Sequence, residues 1–456
     1  MWFRRDLRIA DNPALAAAVA AAQAAGDGRV VPLFVVDPVL WASAGPVRRR
    51  YLVDSLRKLD TALDGQLLIQ HGHPTDVLTK VAAAAGATSI HYAADYAPYG
   101  MRRDSAVTAA VPCSFVATGS PYAVAPGRVL KGDGTPYRVY TPFFKAWCAH
   151  GWRDPADPIG DATWWMPVAC DGFPDAPEIP GMTLPVAGED AAWARWEDFR
   201  ARALSAYGDD RNRADLDGTS VLSHALRWGE IHPRSLLAEL DDSPGSMVYR
   251  KEIAWREFYA DVLFHNPTSI SDSLDARFDS MLPWEGSDSE AFDAWRFGQT
   301  GFPFVDAGMR QLLATGWMHN RLRMVVASFL VKDLHIAWQH GASYFMSMLR
   351  DGDIASNQHG WQWTAGCGTD ASPYYRVFNP VLQGVKFDPD GEYVRKWIPE
   401  LAHIPGKAVH EPWNVIDGYA QGYPEPIVDH ATERDEALRR FALMKGEHGQ
   451  VRESSA

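Results

Sequence analysis

Apolar runs of strand length alternate with helix-length segments over the first 120 residues. Val30 to Val36 is one apolar run, which is typical of a strand buried on both faces. Asn12 and Pro13 supply a cap and a first turn for an alanine-rich helix that Gly26 ends. The alternation predicts an α/β domain with a doubly wound, Rossmann-like parallel sheet. Its other predicted elements are helices at 47–63, 74–86 and 102–110 and strands at 66–70, 89–93 and 113–117.

The pattern changes after residue 120, where eleven prolines fall between Pro121 and Pro185. Such a density of prolines predicts a long, irregular connector over residues 121–190 that runs across the surface. Four tryptophans make this segment too aromatic for a simple disordered linker, and they are Trp147, Trp152, Trp164 and Trp165.

From about Asp190 onward, apolar residues recur at spacings of three and four, as they do on one face of a helix. We therefore expect an α/β domain over 1–120, the connector over 121–190, an all-α domain over 191–446 and a short polar tail over 447–456. The predicted helices of the second domain cover 223–240, 247–264, 289–298, 304–315, 320–340 and 433–445.

The composition of the chain says little about which molecules it binds. The formal net charge is −13, and a nucleic-acid-binding domain is usually basic as a whole. Residues 305–350 nevertheless carry five cations against Asp306 and Asp333, which is either a local basic face or an ordinary solvated helix surface. The cations are Arg310, Arg321, Arg323, Lys332 and Arg350. The 18 tryptophans are core packing, stacking platforms for bases, or carriers of electrons.

Several classes of protein are excluded by what the chain lacks. No apolar run is long enough to span a membrane, and the first residues lack the features of a signal peptide, so we expect a cytoplasmic protein. The four cysteines form no CxxC pair, which predicts buried free thiols and no metal site. No GxGxxG, P-loop, HExxH or serine-nucleophile motif is present, so the common phosphate cradles and hydrolase sites are absent.

Five blocks of sequence resemble the DNA photolyase and cryptochrome family, and within it the class I cyclobutane pyrimidine dimer photolyases. They are WFRRDLRIADNPAL (2–15), DGTSVLS (217–223), WREFY (255–259), TGWMHNRLRMVVASFLVKDL (315–334) and DGDIASNQHGWQWTAGCGTDASPYYRVFNP (351–380). The resemblance implies that the all-α domain binds FAD. It also implies light-driven repair of UV-damaged DNA, in which excited FADH− passes an electron to the dimer, the cyclobutane ring splits and the electron returns.

The resemblance implies a flavin pocket in the helical domain. The residues expected at the phosphates and ribityl chain are Tyr207, Thr219, Ser220, Leu222 and Ser223. A Thr-Ser pair before a helix offers hydroxyls and free backbone N–H groups to an anion, although the same pair is also an ordinary helix cap.

The DGD motif is implied to serve the flavin ring. Asp351 would pair with Arg323 beneath it, Asp353 would face its polar edge, and Asn357 would lie beside N5. A buried carboxylate needs such a cationic partner. Without the resemblance, DGD would be interpreted as a turn.

Three tryptophans match the electron chain of the family, and from the flavin outward they are Trp361, Trp338 and Trp284. Each one alone would be interpreted as core packing. The family also places Glu252, Trp255, Asn320, Met324 and Trp363 around the dimer, with Glu252 as proton donor and the two tryptophans stacked on bases.

Arg376 is implied to meet DNA phosphates, and Arg321 is a second candidate for which a surface salt bridge is an equal alternative. Glu252 and Trp255 are three residues apart, and Asn320 and Met324 are four apart, so each pair lies on one helical face.

Three features depart from the family pattern. The chain starts just before Trp2, so the first strand is short and a weakened sheet is expected. Gln358 and His359 stand where many relatives have Asn-Gly, next to the residue expected at N5. Gly100 stands where folate-binding relatives have a glutamate, which favours a deazaflavin antenna, or an empty site, over methenyltetrahydrofolate.

Three alternatives remain open at this stage. A cryptochrome would signal rather than repair, although it often has a long C-terminal extension. A (6-4) photoproduct repair enzyme would rely on active-site histidines. A flavin electron-transfer protein that does not bind DNA fits the acidic charge. The reading we favour is a monomeric enzyme acting on UV-damaged DNA.

Overall fold

A computed structural model describes residues 1–280, 284, 286–369 and 375–446 of the chain. The strands pair in parallel throughout this part of the chain, in the orders β1-β3-β4, β5-β6 and β2-β7. They are β1 (Trp2–Phe3), β2 (Arg29–Val30), β3 (Leu33–Val36), β4 (Leu68–His71), β5 (Ser89–Tyr92), β6 (Ser114–Ala117) and β7 (Thr163–Trp164).

Helices cover both faces of this sheet. Phe34 and Val36 of β3 belong to the apolar core on one face, and Leu33 and Val35 belong to the core on the other. Such alternation follows from the two-residue period of a strand. The predicted doubly wound parallel fold is therefore confirmed. Its helices are α1 (Pro13–Ala25), α2 (Pro38–Ser43), α3 (Pro46–Ala62), α4 (Pro74–Ala85) and α5 (Pro98–Ala110).

The strand predicted over Val30 to Val36 is in fact two strands, because Pro32 has no N–H to donate to a ladder. β2 pairs with β7, whereas β3 pairs with β1 and β4. The two-residue β1 forms its ladder with β3, and the Trp2 ring lies 6.2 Å from the rings of both Tyr92 and Phe115. Side-chain packing thus joins β1 to β5 and β6.

Residues 121–190 were predicted to be an irregular connector. The structure corrects this, because Tyr140–His150 forms helix α6. Tyr140, Phe143 and Trp147 follow at spacings of three and four and pack into one core with helix α11 (Pro244–His265). Pro142 lies in the first turn of α6, where a proline is tolerated. The strand β7 also lies in this segment.

The rest of the described chain is helical, as predicted. Its other helices are α7 (Glu189–Arg202), α8 (Tyr207–Asp210), α9 (Ser223–Trp228), α10 (Pro233–Ala238), α12 (Glu290–Phe297), α13 (Pro303–Thr315), α14 (Asn320–Ser328), α15 (Trp338–Met348), α16 (Ile354–Ala365), α17 (Pro380–Phe387), α18 (Glu392–Trp397) and α19 (His430–Met444). Short 3-10 turns lie at Leu204–Ala206, Pro267–Ile270, Ala276–Ser280, Pro399–Leu401, Gly406–His410 and Pro412–Asn414, and a π-helix at Phe329–Asp333.

Two predicted helices are each divided. Gly229 has φ +71° and ends α9, and a Cβ there would lie 2.0 Å from the carbonyl oxygen of Arg5. The segment 320–340 forms α14, then the π-helix, and α15 begins only at Trp338. The predicted polar tail lies outside the described residues.

The cations of residues 305–350 do not form an exposed basic face. Lys332 and Arg350 are buried, and the guanidinium of Arg310 pairs with Glu400. Of the cysteines, only Cys367 is buried, whereas Cys148 and Cys170 are exposed, so the expectation of buried thiols is wrong for those two. No helix in the described ranges has both the length and the apolar character needed to cross a membrane.

Candidate flavin and DNA site

Three predicted flavin residues meet in what we call the Asp351 cluster, formed by Ser223, Arg323 and Asp351. Asp351 Oδ2 accepts from Arg323 Nη2 at 2.7 Å and from Ser223 Oγ at 2.6 Å. Burial by itself raises the pKa of Asp351, but the Arg323 guanidinium and the Ser223 hydroxyl outweigh it and hold that pKa below its ordinary value. The cluster therefore contains a buried, ionised carboxylate.

Asp353 has a different set of partners. Its Oδ1 accepts from the backbone N–H of Ser356 and so caps α16, while its Oδ2 pairs with Arg5 Nη2 at 2.6 Å. Burial raises the pKa of Asp353, but Arg5, Arg227 and Arg256 together bring it well below its ordinary value. The role predicted for Asp353 at the polar edge of the ring stays a prediction.

The segment before α9 is held in a strained conformation. Val221 has φ +52°, which is rare for a β-branched residue. Arg195 clamps the segment by donating to the carbonyl oxygens of Thr219 at 2.8 Å and Ser220 at 2.9 Å. The Tyr249 hydroxyl donates to Ser220 Oγ at 2.9 Å. This bracing points the 219–223 segment toward the Asp351 cluster.

Tyr207 and Leu222, which belongs to that segment, are both buried. Tyr207 is the first residue of α8, and its ring packs edge-on against Tyr249 at 5.3 Å and Phe199 at 5.5 Å. Leu222 precedes α9 and belongs to the same apolar core. Both side chains therefore support the wall of the site, and the ligand contacts predicted for them stay predictions.

Several buried polar atoms of this site have no hydrogen-bond partner among the described residues. They are Asp351 Oδ1, His224 Nδ1, Arg227 Nη1 and Arg350 Nε. Unpaired buried polar atoms are costly and rare in folded proteins. A ligand rich in polar groups would satisfy them.

Asn357 lies one turn into α16 and is buried. Its Nδ2 donates to the carbonyl oxygen of Ala342 at 3.1 Å and to Gln358 Oε1 at 2.7 Å. Both amide protons therefore have acceptors.

The three predicted electron-chain tryptophans belong to one apolar core, with Trp361 and Trp338 buried and Trp284 partly buried. The Trp338 indole N–H donates to Ser273 Oγ at 2.9 Å. Among the described residues, the tryptophan ring that packs against Trp361 is that of Trp295, with centroids 6.1 Å apart. Trp295 was not among the predicted electron carriers.

Glu252 forms an ion pair that the sequence analysis did not anticipate. Arg211 Nη1 lies 2.5 Å from Glu252 Oε1. Burial raises the pKa of Glu252, and the nearby Arg211 opposes that rise. A carboxyl group with a raised pKa can hold a proton at a pH where an ordinary one is ionised.

Trp255 presents one ring face and buries the other. Its ring stacks on that of Tyr140, with centroids 3.7 Å apart and planes 8° apart. The Tyr140 hydroxyl donates to the carbonyl oxygen of Lys251 at 2.6 Å, which fixes the supporting ring. Trp255 itself is only half-buried, so it forms a rigid, flat platform.

Trp363 and Arg376 line one small cavity of about 40 Å³, together with the buried Lys332. The Lys332 ammonium donates to the carbonyl oxygen of Arg376 at 2.5 Å and lies 4.4 Å from the centre of the Tyr375 ring. Arg376 is exposed.

Arg321 lies within electrostatic range of two other arginines, Arg211 and the cavity-lining Arg376. Burial, with repulsion from Arg211 and Arg376, lowers the pKa of Arg321 to about 10. Arg321 Nη2 donates to Asn212 Oδ1 at 2.8 Å, and no salt bridge of Arg321 is found within the part of the chain that the structure describes. Asn320 is exposed and Met324 is half-buried on the same helix, α14. A positive group thus lies beside Glu252 in an acidic protein.

Comparisons with known proteins agree with this arrangement. A family model described as DNA photolyase matches residues 1–159, and one described as the FAD binding domain of DNA photolyase matches residues 249–443. The deoxyribodipyrimidine photo-lyase of Salmonella typhimurium is 40% identical, with 98% of this chain and 99% of that protein covered. The chain belongs to the DNA photolyase family.

Two solved structures extend the similarity to the whole fold. A bacterial class III photolyase from Agrobacterium tumefaciens superposes with a TM-score of 0.86 at 35% identity, covering 98% of this chain and 97% of the other. An archaeal photolyase from Sulfolobus tokodaii, solved with two FAD molecules, gives a TM-score of 0.82 at 27% identity, covering 97% and 99%.

The residues present fit the FAD that the photolyase family model implies. The unpartnered atoms around Asp351 are hydrogen-bonding groups for a polar ligand, and the strained 219–223 segment supplies hydroxyls. Ser223, Arg323 and Asp351 would help to hold the cofactor.

Four residues that the site uses were not predicted from the sequence. Tyr140 carried a signal in its helical spacing to Phe143 and Trp147, and Arg5 lies within a quoted block. Arg211 and Trp295 lacked a local signal, because their contacts come from helices distant in sequence.

Proposed function

We propose that this chain binds FAD at the Asp351 cluster and uses light to split cyclobutane pyrimidine dimers in DNA. The observation that carries the proposal is the Trp255 platform, whose ring is backed by Tyr140 and flanked by the Glu252–Arg211 pair. A rigid aromatic face beside a carboxyl group of raised pKa suits a base that has been turned out of the duplex.

Each group on this face has a chemical task. Reduced FAD, when bound, supplies the electron that opens the ring and takes it back. Trp255 and Trp363 stack on the pyrimidines, Asn320 and Met324 line the opposite side, and Glu252 holds a proton toward the pyrimidine edge. Arg376 neutralises a phosphate, and Arg211 and Arg321 add positive potential.

The electron chain predicted through Trp361, Trp338 and Trp284 is part of the same proposal. Its role is to carry an electron from a reductant in solution, which is oxidised, to the cofactor. The burial of Trp361 and Trp338 in one core supports short steps between rings.

A repair assay tests the proposal. Purified protein with reduced flavin receives an oligonucleotide containing a thymine dimer, and recovery of thymine absorbance is followed under blue light and in the dark. Recovery in the light that Trp255→Ala abolishes is the expected result. A flavin-loaded, fully reduced sample without any recovery would refute dimer repair and favour a signalling or electron-transfer role.

We also propose an antenna other than a folate, with deazaflavin favoured. A Cβ at Gly100 would lie 2.2 Å from Asp95 Oδ2, so the glutamate of folate-binding relatives has no room beside Asp95. The fluorescence spectrum of chromophore released from protein made in a deazaflavin-producing host tests this. A folate spectrum would contradict it.

The remaining assignments rest on the sequence blocks and composition. We infer a class I enzyme that is monomeric and cytoplasmic, which agrees with four cysteines that form no disulfide in the described residues. Light scattering tests the monomer. A tree of full-length sequences that grouped the chain with class III would contradict the class.

A further inference from the structure

The side chain of Gln358 is fixed by its own hydrogen bonds. Its Nε2 donates to the backbone carbonyl oxygen of Ile270 at 2.6 Å. A carbonyl oxygen can only accept, so the nitrogen of the amide must face Ile270. The Gln358 carbonyl oxygen therefore points the other way, toward Asn357.

This orientation is passed on to Asn357. Gln358 Oε1 accepts from Asn357 Nδ2 at 2.7 Å, and the second proton of that nitrogen goes to the backbone carbonyl of Ala342 at 3.1 Å. Turning the Asn357 amide over would set its oxygen against two acceptors and break both bonds. Asn357 must therefore present Oδ1, which only accepts, to the remaining side.

We propose that Gln358 is a positioning residue that locks Asn357 with its carbonyl oxygen toward flavin N5, so that this chain favours the flavin forms that carry a proton on N5. The inference rests on the proposed function, because it takes the flavin to lie against Asn357. An oxygen beside N5 accepts from N5–H, whereas an N–H there would favour the unprotonated nitrogen.

Neighbouring contacts make the role of Gln358 separable from folding. Helix α16 is held against the 267–274 segment by two other side chains. The His359 ring bonds to Ser269 Oγ at 3.0 Å, and Gln362 Nε2 donates to the Ser269 carbonyl oxygen at 2.9 Å. Gln362 is also buried and bonds to the same segment but lies a turn further along the helix, so it serves as the control.

The test measures the protonation of N5 without any repair. Flavin-loaded wild type, Gln358→Met and Gln362→Met are each reduced by one electron in the dark and titrated with pH. The visible spectrum distinguishes the protonated from the unprotonated form. Gln358→Met is expected to lower the apparent pKa of N5 by about one unit or more, a tenfold change in the equilibrium, and Gln362→Met is not.

A double-mutant cycle shows whether Asn357 carries the effect. In an Asn357→Ala background, Gln358→Met is expected to change the titration no further. If Gln358→Met loses flavin, Gln358→Glu is titrated in the same way. Its carboxylate still accepts from Asn357, although the bond to the Ile270 carbonyl is lost, so the apparent pKa of N5 should not fall.

The outcomes separate this inference from the proposed function. Four results would overturn the role of Gln358. The apparent pKa of N5 could be unchanged in Gln358→Met, or equally lowered in Gln362→Met. Gln358→Met could also lower that pKa in the Asn357→Ala background, or Gln358→Glu could lower it. A wild type that binds flavin but splits no dimer would instead overturn the proposed function and leave the titration result standing.

Discussion

Lys332 lies at 3% exposure on the π-helix between α14 and α15, where an ammonium group is expensive to bury. Burial lowers the pKa of Lys332 to about 7, and the nearby Asp333 only partly opposes this. The ordinary pKa of a lysine is 10.5, and this lowering means that the charged ammonium reduces the free energy of unfolding by about 5 kcal/mol near neutral pH.

The sign of the pH dependence follows from proton binding. The unfolded chain keeps the Lys332 proton up to pH 10.5, whereas the folded chain loses it above about pH 7. Between these values the unfolded state binds more protons, so stability rises with pH, and below pH 7 the full cost remains. Lys332→Met should therefore stabilise the protein at pH 7, with a gain that shrinks toward pH 10.

The same substitution should weaken DNA binding. It removes the 2.5 Å hydrogen bond to the Arg376 carbonyl and the ammonium over the Tyr375 ring. The lost contacts offset about 1–2 kcal/mol of the gain in stability. Arg376 then loses the anchor of its backbone, and affinity for dimer-containing DNA should fall although the protein is more stable.

Urea denaturation of wild type and Lys332→Met from pH 6 to 10 measures the difference, with the exposed Lys386→Met as control. The control should follow wild type at every pH. Parallel stability curves for wild type and Lys332→Met across this range would refute the reasoning, because a buried, titrating lysine must leave a difference in slope.

Four further substitutions test the site. Arg323→Met leaves Asp351 buried without its main cation and should cost about 3–5 kcal/mol of unfolding free energy by denaturation, a prediction that a loss below about 1 kcal/mol would contradict. Trp255→Ala should weaken dimer binding by about 1–3 kcal/mol per lost stack while the flavin spectrum stays unchanged. Tyr140→Ala, which removes the supporting ring, should weaken binding less. Equal binding by the wild type and both variants would argue against the platform. Because burial raises the pKa of Glu252, the repair rate of the wild type should fall as the pH rises through the pKa of this carboxyl group. The repair rate of Glu252→Gln should not show this fall. An identical dependence of repair rate on pH in both proteins would exclude Glu252 as the proton donor.

The sequence predicted those parts of the fold that depend only on residues close together in the chain. The cap at Asn12, the stop at Gly26 and the bounds of α3 and α4 depend on neighbouring residues alone, and the structure confirms them. The prediction of a single strand over 30–36 was wrong because it used apolar character alone and did not consider that Pro32 lacks an N–H. Helix α6 was missed because prolines on either side concealed its apolar spacing.

The candidate site was predicted unevenly for a related reason. The pairing of Asp351 with Arg323 is implied by the family resemblance, and the structure brings the two side chains to 2.7 Å. The partners of Glu252 and Trp255 come from a loop and a helix far away in the chain, so nothing near either residue could reveal Arg211 or Tyr140. Only tertiary packing brings such pairs together.

The bond between Arg5 and Asp353 joins the first residues of the α/β sheet to the cap of α16, 348 positions later. A second contact of this kind sets Tyr51 and Ser55 of α3 on the buried carboxylate of Glu230, at 2.8 and 2.6 Å. Exchanging the N-terminal half for one that lacks Arg5, Tyr51 or Ser55 would therefore leave buried acids without their partners. A working chimera would have to bring both sides of each pair from the same parent.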